Sequence, residues 1–285
     1  MKKIALINDL SGFGKCSLTA AIPVISVMGI QACPLPTAVL SAQTGFEDYF
    51  CDDFTDRMDC FTNKWKKMNV SFDGIYSGYL ANPVQIGKVI SFLDKFQEEE
   101  TLYLADPVMG DYGKTYNMFR EEFLDGMKEL VLRADVITPN LTELCLLAGV
   151  AYDRLIADCE QSDYIPRIQE LCRQLQKNRN KKLTVVVTGI VRNTPNGQYV
   201  GNLVMSDEKD FFVENPYTGR GFSGTGDLFA SVLCGGLVNG LSMKASVTKA
   251  TNFLELGIKE ATRKNIPSNH GIPFEKYLTT LCDLV

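Results

Sequence analysis

Short apolar, β-branched runs alternate along the chain with stretches of helical spacing. Lys3–Asn8 precedes Ser17–Met28, Gly74–Ser77 precedes Pro83–Phe96, Leu102–Ala105 precedes Met118–Arg133, and Val136–Thr138 precedes Leu141–Ala148. This alternation predicts βα units, and so parallel strands with helices on both faces of a sheet. After a polar helix at Ile165–Lys177 and a β-branched run at Leu183–Thr188 the rhythm changes. Gln198–Met205 and Asp210–Glu214, split by Ser206–Lys209, read as a hairpin. Helical stretches at Thr225–Asn239, Met243–Thr262 and Phe274–Asp283 close the pattern, punctuated by Gly240 and Pro273. The predicted class is α/β: a three-layer αβα domain with a mostly parallel sheet and an antiparallel extension. No internal repeat or low-complexity linker interrupts it, so residues 1–285 are expected to form a single domain.

Composition narrows the chemistry. With 45% hydrophobic and 22% charged residues in 285, the chain can bury a sizeable core without disulfide or metal staples. A net charge of -5 argues against a nucleic-acid or anionic-membrane partner. No apolar run reaches the roughly 18 residues of a membrane span, and Asn8 and Asp9 stop the first apolar segment too early for a signal peptide. Nine cysteines, odd in number, widely spread and without a C-x-x-C pair, read as reduced cytoplasmic thiols. The single histidine, His270, lies in a Pro- and Gly-rich segment, which leaves little room for a Ser-His-Asp triad or a histidine metal site. Carboxylates and backbone must carry any chemistry.

In open α/β sheets the ligand crevice lies beyond the carboxyl ends of the strands. Three segments there carry candidate groups. Asp106-Pro107-Val108-Met109-Gly110-Asp111 offers two carboxylates, enough for a magnesium ion shared with nucleotide phosphates, although Asp, Pro and Gly are also turn formers. In Thr138-Pro139-Asn140-Leu141-Thr142-Glu143, Asn140 and Glu143 either cap a helix or face the same crevice. Gly221-Phe222-Ser223-Gly224-Thr225-Gly226-Asp227 runs into an apolar helix, so its amides and the helix dipole can hold an anion such as a phosphoryl group in transfer. Asp227 beside that anion is either an acid favoured by the dipole or the base that deprotonates an attacking hydroxyl. Two other motifs fail. Gly12-Phe13-Gly14-Lys15-Cys16 imitates a P-loop but begins its frame at Asp9 and ends it on Cys16, and Gly219–Gly224 matches G-x-G-x-x-G far from the first strand. Gly12 and Gly14 instead turn the chain after the first strand and present Asp9 and Ser11 to the crevice.

Taken in order and spacing, Asp106–Asp111, Thr138–Glu143 and Gly224–Asp227 resemble the ribokinase-like superfamily of small-molecule kinases over nearly the whole chain. Ser41-Ala42-Gln43-Thr44-Gly45-Phe46 and Ser77-Gly78-Tyr79 add a resemblance to its vitamin B6 branch, the pyridoxal kinases. The resemblance implies ATP-dependent phosphorylation of the hydroxymethyl group of pyridoxal, pyridoxine or pyridoxamine by a cytoplasmic homodimer. It implies Asp227 as the base and Gly224, Thr225 and Gly226 as the anion hole. Asp111 and Glu143 would hold Mg2+, directly or through water, and Asp106, Thr138 and Thr188 would surround a monovalent cation, K+ or Na+. Asn140, Thr188 and Gly189 would follow the ATP phosphates and ribose, with Thr225 and Gly226 at the transferred phosphate; Thr44 and Tyr79 would line the vitamin pocket. Asp9 stands where many pyridoxal kinases carry a serine that meets the ring, and Asn8-Asp9-Leu10-Ser11-Gly12 resembles the hydroxymethylpyrimidine kinases. The alternatives are therefore a hydroxymethylpyrimidine kinase and a noncatalytic vitamin-binding protein of the same fold.

Overall fold

A computed structural model describes residues 1–159, 164–177 and 181–282. In chain order the elements begin β1 (Lys3–Ser11), α1 (Ser17–Val27), β2 (Gln31–Leu40), β3 (Cys51–Asp53), α2 (Thr55–Lys67), β4 (Gly74–Ser77) and α3 (Pro83–Phe96). There follow β5 (Leu102–Ala105), β6 (Gly110–Asp111), β7 (Lys114–Thr115), α4 (Glu121–Arg133), β8 (Val136–Ile137), α5 (Leu141–Ala148), α6 (Tyr152–Cys159) and α7 (Ile165–Gln176). The last are β9 (Thr184–Thr194), β10 (Gly197–Met205), β11 (Phe211–Pro216), α8 (Thr225–Val238) and α9 (Met243–Arg263).

Among the described residues the main sheet runs β11-β10-β9-β8-β5-β4-β1-β2-β3. Its centre, from β9 to β2, is parallel, and β3 and β10 pair antiparallel with their neighbours. Strand alternation feeds two separate cores. In β1, Ile4 and Leu6 pack with α1, α8 and α9, whereas Ala5 and Ile7 pack with α3, α4 and α5. Tyr76, Leu104, Val136 and Val186 repeat the first choice; Ile75, Tyr103, Ile137, Val185 and Val187 repeat the second. The three-layer αβα prediction therefore stands, and so does the hairpin at β10 and β11.

Several boundaries differ from the sequence pattern. The β2 strand was hidden by Pro34 and Pro36. The Gln31 amide faces β1, bonding Lys2 O at 2.9 Å, so positions 34 and 36 turn their nitrogens to the opposite edge, where no ladder bond is lost. The helix α2 carries six charged residues in thirteen and buries only Met58 and Thr62, which leaves it little apolar signature. Strand β9 continues past Thr188 to Thr194 because Gly189 takes φ +70 at a register shift against β10. Helix α4 starts at Glu121 rather than Met118, and the terminal stretch forms 3₁₀ turns over Phe274–Leu281, with Asp283 outside the described residues.

Candidate active site

The carboxyl ends of β1, β4, β5, β8 and β9 open into a cleft of about 930 Å³. The direction of chain progression reverses on the two sides of β1, with β2 on one flank and β4 on the other, and a crevice is expected at such a switch point. Asp9, Thr44 and Tyr79 line the cleft, as do Asp106, Asp111, Thr138, Asn140, Glu143, Thr188, Gly189 and the whole run Gly224–Asp227. Ser11 does not. It is buried behind Asp9 and donates its hydroxyl to Asp9 Oδ2 at 2.7 Å.

Gly224 caps α8 without a side chain. Its φ of +79 is a left-handed conformation, and a Cβ there would lie 2.1 Å from Lys15 O. Only glycine lets the loop press this close to the Lys15–Cys16 backbone. The first amides of a helix have no partner within it, so this start points unpaired donors and the positive dipole end into the cleft. In the first turn, Asp227 is half-buried. Its Oδ1 accepts Asn8 Nδ2 at 3.0 Å and the Tyr76 hydroxyl at 3.4 Å, and the Ser17 amide lies close enough to favour the anion. Burial pushes the Asp227 carboxyl up to about 6, against the pull of the Ser17 amide and with the charge of Asp9 adding to the rise. A carboxylate so placed can accept a proton near neutral pH.

The two acidic strand ends meet nearby. Burial and then the charge of Asp227 hold the Asp106 carboxyl well above its ordinary range. Burial and then the charge of Asp106 do the same to Glu143. The Thr138 hydroxyl lies close enough to favour the Asp106 anion but makes no hydrogen bond of normal geometry, and it is a buried polar atom left unpartnered. Asn140 and Glu143 form a complete capping box: Asn140 Oδ1 accepts the Glu143 amide at 3.0 Å and Glu143 Oε2 accepts the Asn140 amide at 2.9 Å. Glu143 Oε1 accepts the Met109 amide at 3.1 Å, and Asn140 Nδ2 donates to Gly110 O at 2.8 Å, so both side chains also tie α5 to the Asp106–Asp111 loop. Asp111 is exposed on the β6–β7 turn, where Oδ1 accepts the Tyr112 amide at 2.9 Å. Among the described residues no three His, Cys, Asp or Glu side chains converge as a self-sufficient metal cage.

Asn8, Ser17 and Tyr76, which touch Asp227, were not among the predicted site residues. Asn8 is adjacent to Asp9 at the end of a strand otherwise apolar, and a polar residue at that place was the available signal. Asp9 is buried, and burial raises its proton affinity against the pull of the nearby Ser17 and Ser11 hydroxyls. Lys15 and Ser17 both take φ near +50, so the backbone that delivers the Ser17 amide to Asp227 is strained. Neither strain nor burial is visible in residue type.

An αβα sheet whose carboxyl edge presents a glycine-capped helix and a half-buried carboxylate has the ribokinase-like arrangement. The family model described as phosphomethylpyrimidine kinase matches residues 17–272. The chain belongs to that family, and its relatives include pyridoxal kinases. A Bacteroides thetaiotaomicron protein provisionally named a phosphomethylpyrimidine kinase is 37% identical with a TM-score of 0.90, over 98% of this chain and 93% of its own, in a rhombohedral form. Its orthorhombic form, with pyridoxal, is 36% identical with a TM-score of 0.88, over 98% and 95%. Pyridoxal kinase from Lactobacillus plantarum is 25% identical with a TM-score of 0.87, over 100% and 98%. Pyridoxal kinase PdxY of Histophilus somni is 29% identical over 60% of this chain; the match spans 57% of that relative's length. No described helix is long and apolar enough to cross a membrane.

Proposed function

We propose that residues 1–285 act as one kinase unit that transfers the terminal phosphoryl group of ATP to the hydroxymethyl group of pyridoxal, pyridoxine or pyridoxamine. The observation that carries this is Asp227, a half-buried carboxylate held by Asn8 and Tyr76 beside the unpaired amides of a glycine-capped helix. Phosphoryl transfer asks mainly for positioning and charge stabilisation, which this pair supplies. Asp227 takes the hydroxyl proton as the oxygen attacks, and the Gly224–Gly226 backbone receives the charge of the transferred group. Of the residues that line the cleft, Asp9, Thr44 and Tyr79 are assigned to the vitamin, and Asn140, Thr188 and Gly189 to the nucleotide. The Bacteroides thetaiotaomicron form with pyridoxal supports the choice of ring.

The donor set also fits cations. The charge of Asp227 raises the proton affinity of Asp106, and that of Asp106 raises the proton affinity of Glu143, a repulsion that a bound positive charge relieves; Thr138 Oγ1 is an unused oxygen beside Asp106. With phosphate oxygens and waters, one or two carboxylates suffice for Mg2+, so Asp111 and Glu143 would hold it, directly or through water, each Glu143 oxygen keeping a lone pair beyond the amide it accepts. Asp106, Thr138 and Thr188 would surround K+ or Na+. Mg2+ supplies charge neutralisation to the nucleotide phosphates. A cytoplasmic homodimer completes the proposal, drawn from the family resemblance and from eight cysteines that form no disulfide among the described residues.

A hydroxymethylpyrimidine substrate is the second reading, favoured by the description of the matching family and by Asp9 in the ring pocket. The test is a panel of the three B6 vitamers, hydroxymethylpyrimidine and ribose with ATP and Mg2+. Phosphate esters from the vitamers at the highest kcat/KM are expected; a preference for the pyrimidine selects the second reading, and binding without turnover overturns both.

A further inference from the structure

We propose that Asn8 is the positioning residue that aims Asp227 at the substrate, by locking it to the wall of the ring pocket. This rests on Asp227 as the base. Asn8 is fully buried in the second half of β1. Its Oδ1 accepts two backbone amides, Asp9 at 3.0 Å and Tyr79 at 2.8 Å. An amide oxygen that takes two donors decides which way round the side chain stands, so Nδ2 is the group that meets Asp227 Oδ1 at 3.0 Å. Satisfying the loop amides explains the oxygen alone. The nitrogen is spent on a carboxylate 219 residues away in sequence.

The side chain therefore joins three elements at the switch point: β1, which carries it, the Tyr79 turn after β4, and the first turn of α8. The fit is close, because a Cβ on Gly78 would lie 2.4 Å from Asn8 Nδ2. Other groups face Asp227 as well: the Tyr76 hydroxyl from β4, the Ser17 amide from α1, and the acids Asp9 and Asp106. Tyr76 bonds Asp227 at the longer distance of 3.4 Å. Asn8 alone of these carries a bond to Asp227 together with one to the backbone of Tyr79, so displacement of the pocket wall and of the base are coupled through it.

Asn8→Asp keeps the shape and the two accepted bonds and removes the donor to Asp227. The expected result is a loss of about 10- to 100-fold in kcat with pyridoxal, the range for a bond to a charged group, with KM for ATP within twofold. Combining Asn8→Asp with Asp227→Asn exchanges acceptor and donor across the pair. The double variant is expected to melt at a higher temperature than Asn8→Asp and to show a kcat no lower than Asp227→Asn, as when one residue acts through another. A kcat for Asn8→Asp within twofold of the parent, or losses that multiply in the double variant, overturns the proposal. So does an exchange that leaves the melting temperature as low as in the single variant. Should Asn8→Asp fail to fold, recovery of folding by the exchange decides the matter alone. Near-normal turnover in Asp227→Asn by itself is a different failure: it removes the base assignment without any change at Asn8.

Discussion

Alanine at Gly224 tests whether the start of α8 cradles the transferred phosphoryl group. The left-handed backbone costs an alanine about 1–2 kcal/mol. The new Cβ would also sit 2.1 Å from Lys15 O, whereas real Cβ atoms essentially never approach closer than 3.0 Å, so the helix start must withdraw by 3.0 − 2.1, or 0.9 Å. The obstacle is backbone, and it cannot swing aside as a side chain would. A misplacement of about 1 Å in a reacting group lowers the rate on the order of 100-fold, so kcat is expected to fall by about two orders of magnitude. Gly219→Ala is the control: φ is again +79, but nothing lies within 4 Å of its Cβ. It incurs the same conformational cost, roughly 2–8 °C in Tm at about 2–4 °C per kcal/mol, with kcat expected within twofold. Steady-state ADP release with pyridoxal and thermal melts of both variants supply the comparison. A Gly224→Ala enzyme within threefold of the parent kcat would refute the cradle, because the amides would then work from a displaced position.

Three further outcomes are expected. Asp111→Asn with Glu143→Gln should raise the Mg2+ concentration needed for half-maximal turnover, and an unchanged Mg2+ titration removes both from the ion's surroundings. Asp9→Ser replaces an acceptor-only anion with a hydroxyl that donates or accepts, so kcat/KM ratios among the vitamers and hydroxymethylpyrimidine should move by roughly 10- to 100-fold; ratios constant within twofold would make Asp9 a turn residue. The folded state raises the proton affinity of Asp9, Asp106, Glu143 and Asp227, so at these four sites it binds more protons than the unfolded chain above about pH 4. Their stabilisation is complete below that pH and is lost as pH rises through the folded values, about 6 for Asp227. The nucleotide-free protein should melt higher near pH 5 than near pH 7.5, and a melting temperature that climbs over this interval would contradict the burial of these acids.

The βα rhythm and the glycine-rich helix start were legible because both are written in local chemistry: β-branched runs, helical spacing, and glycine where a side chain would collide. Asp106, Asp111, Thr138, Glu143 and Asp227 could be placed on one edge by the strand-end rule alone. Legibility failed where a residue's effect depends on its neighbours in space. Pro34 and Pro36 look like breakers until the unpaired side of β2 is known. Ser11 looks like a pocket residue until Asp9 is seen in front of it. Asn8 and Tyr76 reach Asp227 across 219 and 151 residues, a pairing no periodicity encodes.

The prolines of β2 bear on how copies of the molecule meet at high concentration. Along the first half of that strand the outward positions are 32, 34 and 36, and of these only Ala32 keeps an N–H. β3 covers the strand only from Ala38 to Leu40. The uncovered stretch is thus a border that cannot be zipped, since an arriving strand would find one donor where continued pairing needs three. Fibrillar growth by stacking strands onto this side of the native sheet is blocked by covalent structure rather than by charge, and so remains blocked at any salt concentration.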